Sequence, residues 1–173
     1  EESLDAMLEM WTTDPPYKIQ GKHWTIEMKE WTHHDIKLGY IPKPLQQPHP
    51  PVAISAMSPN SGSLTFAGRR GYIPVSANFI APWSLKTHWP TYAAGAAAAG
   101  QTADAENWHV ARSIFVDETD AAAAAFTTAS GGAMDYYYDY LFQIFDRSDY
   151  RAPFVANAGD DPASLTHDQI RDA

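Results

Sequence analysis

Residues 48–76 read PHPPVAISAMSPNSGSLTFAGRRGYIPVS, and this stretch decides the fold. A short apolar run, Val52–Ala56, leads into a loop rich in Ser, Asn and Gly, and a helical pattern follows over Leu64–Arg70. A second short apolar run, Tyr72–Ala77, comes directly after Gly71. Apolar runs of this length are typical of parallel strands buried on both faces. The stretch therefore predicts a strand, a loop, a helix and a second strand in succession.

Similar patterns continue on both sides of this stretch. Upstream, Leu4, Met7, Leu8 and Trp11 recur at helical spacing, and the helix is expected to end before a proline pair. Downstream, the patterns predict a helix, a third strand and two further helices, at Trp83–Ala99, Trp108–Val116, Ala121–Thr128 and Met134–Phe145. The rest of the chain, residues 146–173, reads as a loop-rich tail.

Strands that alternate with helices indicate an α/β fold built on a parallel sheet. Two architectures fit, a doubly wound sheet and a (β/α)₈ barrel. A complete barrel takes roughly 250 residues and eight units, and about three units are recognisable here. We therefore expect residues 1–173 to be a single domain or fragment, a section of a barrel. The chain also enters a helical pattern at Glu1-Glu2-Ser3. A processed N-terminus would give this pattern, and so would a missing upstream part, which is the alternative that we expect.

The composition narrows the classes of partner. With 21 acidic and 12 basic residues, the formal net charge is −9, and a chain this acidic is repelled by nucleic acid and by anionic lipid. The absence of cysteine excludes disulfides and thiolate chemistry. No apolar run approaches the roughly 20 residues of a membrane helix. We expect a cytoplasmic protein that binds neither nucleic acid nor membrane.

The junction Ala56–Ser63 is the candidate site. The first amides of the following helix have no partner within the helix and carry the positive end of its dipole. Hydroxyl groups at Ser58, Ser61 and Ser63, together with the small residue Gly62, suit a phosphate group. Taken by composition alone, the same residues also describe an ordinary capped loop between a strand and a helix.

A longer string resembles one enzyme family. Residues 43–59, KPLQQPHPPVAISAMSP, together with Ala67–Gly71 and the earlier Gly21–Trp24, resemble the luciferase-like flavin-dependent monooxygenases, most closely the limonene or alkane monooxygenase branch. The resemblance is specific from about Glu2 to Ala77 and fainter to Phe145. It implies the C-terminal half of a (β/α)₈ barrel.

This resemblance also implies a chemistry. The family uses reduced FMN, usually supplied by a separate flavin reductase, and O₂ to oxygenate a small organic substrate. The residues it implies as cofactor-binding are Ala56, Met57, Ser58, Ser61 and Ser63 in the loop, with Ser76 and Ala77 at the end of the next strand. The family's first four strands have no counterpart here, so the catalytic residues are expected to lie outside this sequence.

Two other functions remain open at this point. The chain could be a non-catalytic half-barrel, stable only when a second copy or a complementary fragment covers its open sheet edges. It could also be an F420-dependent oxidoreductase on the same scaffold, although the Gln-Gln-Pro-His-Pro-Pro connector favours FMN. No metal site is expected, since the densest group, His33-His34-Asp35, lacks the spacing of metal ligands. The aromatic segment Asp135–Tyr140 is expected to pack into the core.

Overall fold

The computed structural model describes residues 1–28, 32–166 and 169. The chain divides into two compact units, Glu1–Pro51 and Val52–Ala173. Within the expected loop-rich tail, residues 167, 168 and 170–173 lie outside the described part. No helix in the described ranges is long and apolar enough to cross a membrane.

The first unit is a helix followed by a small hairpin. Its elements are α1 (Glu2–Thr12), β1 (Lys18–Gln20) and β2 (Thr25–Glu27). The two strands pair antiparallel, with Ile19 opposite Ile26. The Glu2 carboxylate accepts hydrogen bonds from the backbone N–H groups of Lys22 at 2.9 Å and Trp24 at 2.8 Å. A carboxylate at the start of α1 therefore fixes the turn of the hairpin, because it satisfies donors that the turn leaves unpaired.

The second unit contains the parallel sheet that the sequence predicts. Its elements are β3 (Ala53–Ala56), α2 (Gly62–Arg70), β4 (Ile73–Ser76), α3 (Pro82–Ala98), β5 (His109–Val110), α4 (Asp120–Thr127) and α5 (Ala133–Arg147). The strand order is β3-β4-β5 and both pairings are parallel. Ala56 lies opposite Ser76, and Ser76 lies opposite Val110. The carboxyl ends of the three strands are therefore level, and the loops that follow them share one edge of the sheet.

Two strand predictions need correction. The strand β3 is buried on one side only, since Ala53 and Ser55 are exposed, whereas its sequence predicts burial on both faces. The third strand of the sheet, β5, contains two residues, not the nine of Trp108–Val116. The pairing stops because β4 itself ends at Ser76, opposite Val110. An alternating pattern can continue along the sequence, but the strand ends where its partner strand no longer offers backbone groups for hydrogen bonding.

The helix α5 also differs from its expected role. Tyr136 is 69% exposed and Tyr140 is 54% exposed, so the aromatic segment is not a core segment. The helix is held instead near its C-terminal end, where the Phe145 ring contacts Phe79 and Phe154 with centroids 5.5 and 5.3 Å apart. The helix is also attached through Tyr137, whose hydroxyl donates to Asn78 Oδ1 at 3.0 Å, while Tyr136 and Tyr140 face solvent.

The helices α2 and α3 pack with their backbones in close contact. A Cβ added at Gly68 would lie 2.2 Å from the carbonyl oxygen of Tyr92 and 2.7 Å from the nitrogen of Ala96. A Cβ added at Gly95 would lie 2.4 Å from the carbonyl oxygen of Thr65. Contacts this short are closer than any real Cβ makes, so the approach of the two helices requires glycine at both positions.

This close contact predicts a destabilised Gly68→Ala variant. We expect the free energy of unfolding to fall by about 1–3 kcal/mol, the usual cost of overpacking a rigid contact. Urea denaturation measures this change. The matched control is Gly62→Ala on the same helix, where an added Cβ meets no atom within 4 Å and the expected change is within about 0.5 kcal/mol. Equal stability of the two variants would contradict the packing described here.

Candidate functional site

The loop after β3 carries most of the residues that the sequence predicts to bind a cofactor. Ala56 is buried at the end of the strand, and its carbonyl oxygen accepts a hydrogen bond from the Ala77 N–H at 3.1 Å. Met57 is exposed, while Ser58 is half-buried. Asn60 has a left-handed backbone, with φ of 51°. The structure thus brings Ala56 and Ala77 together at the level of the strand ends, with the loop running outward from them.

The two serines at the start of α2 bond to each other. Ser61 Oγ lies 2.9 Å from Ser63 Oγ, and Ser63 Oγ donates to the carbonyl oxygen of Ser55 at 3.0 Å. A serine hydroxyl has one proton, so the bond to Ser55 makes Ser61 the donor to Ser63. The Ser63 hydroxyl proton is therefore directed to β3, and the Ser61 hydroxyl proton is directed to Ser63. Ser63 anchors the helix start to the strand, and Ser61 is bonded to that anchor.

Gly62, between these serines, is the open point of the loop. It is exposed, and a Cβ built there meets no atom within 4 Å. It is also the first residue of α2, where backbone N–H groups lack partners within the helix and the dipole favours negative charge. An anion could reach the backbone at Gly62 without displacing a side chain.

A buried histidine connects this loop with the end of β4. His88 on α3 is 0% exposed. Its Nδ1 lies 2.8 Å from Ser76 Oγ, and its Nε2 lies 3.0 Å from the carbonyl oxygen of Ser58. A carbonyl oxygen only accepts, so Nε2 carries the proton. Trp108 Nε1 donates to Ser76 Oγ at 2.9 Å, which completes the set of partners around that hydroxyl.

The direction of every proton in this network follows from the neutral state of the histidine. Burial lowers the pKa of His88, and the positive charge of Arg112 lowers it further, although the Ser58 carbonyl acts in the opposite direction. With Nε2 protonated and the ring neutral, Nδ1 accepts from the Ser76 hydroxyl. Ser76 in turn accepts from Trp108. Ser76, predicted to lie near a flavin ring, therefore has its hydroxyl beneath the strand ends in a closed chain of hydrogen bonds.

A cavity of about 320 Å³ opens beside the ends of β4 and β5. Its apolar walls include Phe79, Ile80 and Phe154, and its polar groups include Arg112 and Tyr138. This volume lies within the usual range for small-molecule pockets, about 300–1,000 Å³. The residues from the two loops follow directly after parallel strands, at the edge of the sheet where ligands bind in α/β proteins.

Arg112 fixes one wall of this cavity. Its Nη1 donates to the carbonyl oxygens of Asn78 at 3.0 Å and Ile80 at 3.2 Å. Burial raises the pKa of Tyr138, and the neighbouring Tyr137 raises it further, while Arg112 opposes the shift. The Tyr138 phenol therefore keeps its proton and can donate a hydrogen bond at neutral pH. The cavity combines an apolar lining with a phenol donor and a fixed cation.

The described histidines other than His88 lie apart from this network. Within the described ranges, no group of three or more His, Asp or Glu side chains is arranged to hold a metal ion. His34 Nδ1 lies 2.7 Å from the Tyr40 hydroxyl, and His109 is exposed on β5.

Sequence reasoning did not single out three residues of this region. His88, Trp108 and Arg112 stand in no recognisable motif, and each acts on a residue at least 12 positions away. The available signal for His88 was its place on a helix whose inward positions Ser84, His88 and Tyr92 recur every four residues, which marks a buried face.

Comparison with known proteins identifies the family. The family model described as luciferase-like monooxygenase matches residues 1–167. The chain belongs to the luciferase-like monooxygenase family. The resemblance carried by residues 43–59 is therefore confirmed by a match over most of the chain.

The most similar relatives include three monooxygenase chains of Pseudomonas putida. The chain is 34% identical to 2,5-diketocamphane 1,2-monooxygenase 2 over 123 residues, which cover 70% of this chain and 33% of the relative. It is 29% identical to 2,5-diketocamphane 1,2-monooxygenase 1 over 161 residues, which cover 91% and 44%.

The third is the solved oxygenating constituent of 3,6-diketocamphane monooxygenase, a type II Baeyer-Villiger monooxygenase in complex with FMN, with 29% identity and a TM-score of 0.68. The match covers 99% of this chain and 46% of that one. The expected fold, a section of a luciferase-like (β/α)₈ barrel, is confirmed. The chain spans less than half the length of each of these relatives.

The lowered pKa of His88 predicts a pH dependence of stability. In the unfolded chain His88 binds a proton near its ordinary pKa of about 6.5, whereas the folded protein keeps it neutral. Between these two pKa values the unfolded state binds more protons. The free energy of unfolding should therefore be fully maintained above about pH 6.5 and should fall as the pH drops from there towards the folded pKa.

Urea denaturation at about pH 7.5 and about pH 5.5 checks this expectation. The matched variant is His88→Gln, whose amide carries a donor and an acceptor but does not titrate. We expect the wild type to lose more stability than the variant over this interval. Parallel losses in the two proteins would show that His88 does not titrate in the expected direction.

Proposed function

We propose that this chain forms part of an FMN-dependent monooxygenase and holds the phosphate of the cofactor on the loop between β3 and α2. The observation that carries the proposal is the open backbone at Gly62, at the positive end of a helix and at the carboxyl edge of a parallel sheet. A family relative of known structure binds FMN. The geometry at Gly62 and the FMN of the relative together favour a phosphate site over an ordinary capped loop.

The residues present fit such a group. The Leu64 N–H already donates to the carbonyl oxygen of Ser61 at 3.0 Å, so the N–H groups of Gly62 and Ser63 would bind the phosphate oxygens. A side chain at position 62 would fill the space that the phosphate needs. Ser61 can turn its hydroxyl outward at the loss of one hydrogen bond, whereas Ser63 is tied to the Ser55 carbonyl. We assign Ser61 the direct contact and Ser63 a supporting one.

The remaining predicted residues would act by position. Exposed Met57 would border the cofactor, and Ala56 and Ala77 lie side by side at the strand ends, where small side chains leave room for a ring system. Ser76 would act indirectly, through its hydrogen bonds to His88 and Trp108, since its side chain is buried. When bound, reduced FMN supplies the electrons that activate O₂ for transfer of one oxygen atom to a small organic substrate.

The protein's contribution is to bind, orient and exclude water. We propose that a separate flavin reductase supplies the reduced flavin, which fits the cytoplasmic location expected from the sequence. The chain spans less than half the length of its relatives. We therefore propose that residues outside it, in the same polypeptide or in an associated chain, complete the contacts with the flavin ring and supply the catalytic groups.

Charge at position 62 tests the phosphate site. In Gly62→Asp, a carboxylate at the start of α2 should leave the fold intact or stabilise it by about 0.3–1 kcal/mol through the helix dipole. The same carboxylate should weaken FMN binding about 10-fold or more, because it repels the phosphate at close range. Thermal unfolding and flavin fluorescence titration measure the two effects, which are expected to have opposite signs.

Two controls separate charge from size. Gly62→Asn has nearly the same volume without the charge, and it should bind FMN more tightly than Gly62→Asp does. Riboflavin lacks the phosphate, so its affinity should not distinguish Asp from Asn. Equal FMN affinity in the Asp and Asn variants would remove the phosphate from this loop. Absence of FMN binding by the wild-type protein would overturn the proposed function itself.

We further propose that the substrate of this enzyme is a small ketone bound in the 320 Å³ cavity. The protonated Tyr138 phenol can donate a hydrogen bond to a carbonyl oxygen, and the apolar walls suit a hydrocarbon frame. The relatives named as diketocamphane monooxygenases support a bicyclic diketone as the first probe.

Filling the cavity tests this assignment. Ala156 is exposed at the cavity wall, so Ala156→Phe should narrow the cavity with little effect on folding. We expect the KM for 2,5-diketocamphane to rise about 10-fold, equivalent to about 1.4 kcal/mol, while FMN affinity stays at the wild-type value. Steady-state oxygenation assays measure the KM, with a flavin reductase and with the protein that contains both this chain and the residues proposed to supply the catalytic groups. An unchanged KM would place the substrate elsewhere.

A further inference from the structure

We propose that His88 is a positioning residue, which holds the loop after β3 in the conformation that the cofactor phosphate requires. This inference rests on the proposed function, because it explains how a loop with little secondary structure could present its amides in a fixed direction. His88 would thus support cofactor binding without contacting the cofactor, since its side chain is fully buried.

The loop is tied to α3 at two adjacent positions. His88 Nε2 donates to the carbonyl oxygen of Ser58 at 3.0 Å. Thr87 Oγ1 accepts from the Asn60 N–H at 2.8 Å. The first bond fixes the orientation of the Ser58 carbonyl. The second fixes Asn60, whose backbone lies in the left-handed region. A left-handed non-glycine residue is unfavourable without such support.

The two bonds also decide which amides remain for a ligand. The Asn60 N–H is already used by Thr87, so it does not serve a phosphate. The next amides along the chain are those of Ser61, Gly62 and Ser63, whereas the Leu64 N–H donates to the Ser61 carbonyl at 3.0 Å. By holding Ser58 and Asn60, α3 therefore aims the start of α2 at the open space beside Gly62.

The network behind His88 allows one arrangement of protons. Trp108 Nε1 donates to Ser76 Oγ, the Ser76 hydroxyl donates to His88 Nδ1, and His88 Nε2 donates to Ser58. A proton added at Nδ1 would leave the buried Ser76 hydroxyl facing a second donor, and a buried hydroxyl without an acceptor is costly. The chain of donors runs in one direction, from Trp108 to the loop, and ends on the Ser58 carbonyl.

The experiment compares three variants of the protein that contains both this chain and the residues proposed to complete the flavin site. His88→Leu removes both hydrogen bonds and keeps an apolar side chain of moderate size. His88→Gln keeps a donor and an acceptor. Thr91→Ala is the matched control on the same helix, since the Thr91 hydroxyl donates to the Thr87 carbonyl at 2.7 Å and takes no part in the bonds to the loop. The measurements are FMN affinity by fluorescence titration, amide hydrogen exchange in residues 57–61, and the KM for reduced FMN against kcat.

We expect His88→Leu to weaken FMN binding about 10-fold and to speed amide exchange in residues 57–61. His88→Gln should restore both towards the wild-type values, and Thr91→Ala should change neither. The KM for reduced FMN should rise in His88→Leu with a smaller change in kcat, because His88 acts on binding rather than on the reacting atoms.

Nitrogen NMR of the wild-type imidazole adds a test that needs no variant. The expected signature is a neutral ring with the proton on Nε2 and an accepting Nδ1. A proton on Nδ1 would overturn the network, and so would unchanged loop exchange or unchanged FMN affinity in His88→Leu. A Gln variant as weak as the Leu variant would also overturn it. If the wild type bound no FMN, the proposed function itself would fail. If the wild type and His88→Leu bound FMN equally well, the role of His88 would fail while the proposed function stood.

Discussion

The backbones of α2 and α3 approach each other at Gly68 and Gly95 more closely than any Cβ would permit. This contact sets the distance between α3 and everything that α2 adjoins, including the end of β3. His88 lies one turn before Tyr92, whose carbonyl faces Gly68, and one turn is only about 5.4 Å along the axis. Two glycines without any polar function therefore place the imidazole within hydrogen-bonding distance of the Ser58 carbonyl.

Local signals in the sequence were sufficient for most helix ends. Gly71 follows the last residue of α2 in the left-handed region, with φ of 68°, as expected of a glycine after a helix. Thr119 caps α4, where its hydroxyl accepts from the Ala122 N–H at 3.1 Å. These features depend on a few neighbouring residues, so the sequence contains nearly all the information that determines them. The βα order, and with it the fold class, follows from the same kind of signal.

Pairing and burial depend on residues far along the chain, and here the sequence predicted less. The alternation in Trp108–Val116 was a real property of that segment, but the strand ends at Val110 because its partner β4 ends at Ser76. The exposed tyrosines of α5 show the same limit. Their spacing fits a buried face, yet the helix is attached through Phe145 at its other end. A pattern shows which face could be buried, whereas the neighbouring elements decide which face is buried.

In the serine-rich loop, the roles that the residue types suggest differ most from the roles that the geometry gives them. Counted as residue types, Ser58, Ser61 and Ser63 are three hydroxyl donors suited to a phosphate. In the fold, Ser63 donates to β3, Ser61 donates to Ser63, and the bond observed from Ser58 uses its backbone carbonyl. The backbone amides at the start of α2 lie next to a glycine with open space around it, so they can face an anion directly. Ser63 serves such a site by holding the backbone in place, whereas Ser61 must give up its bond to Ser63 before it can donate to an anion.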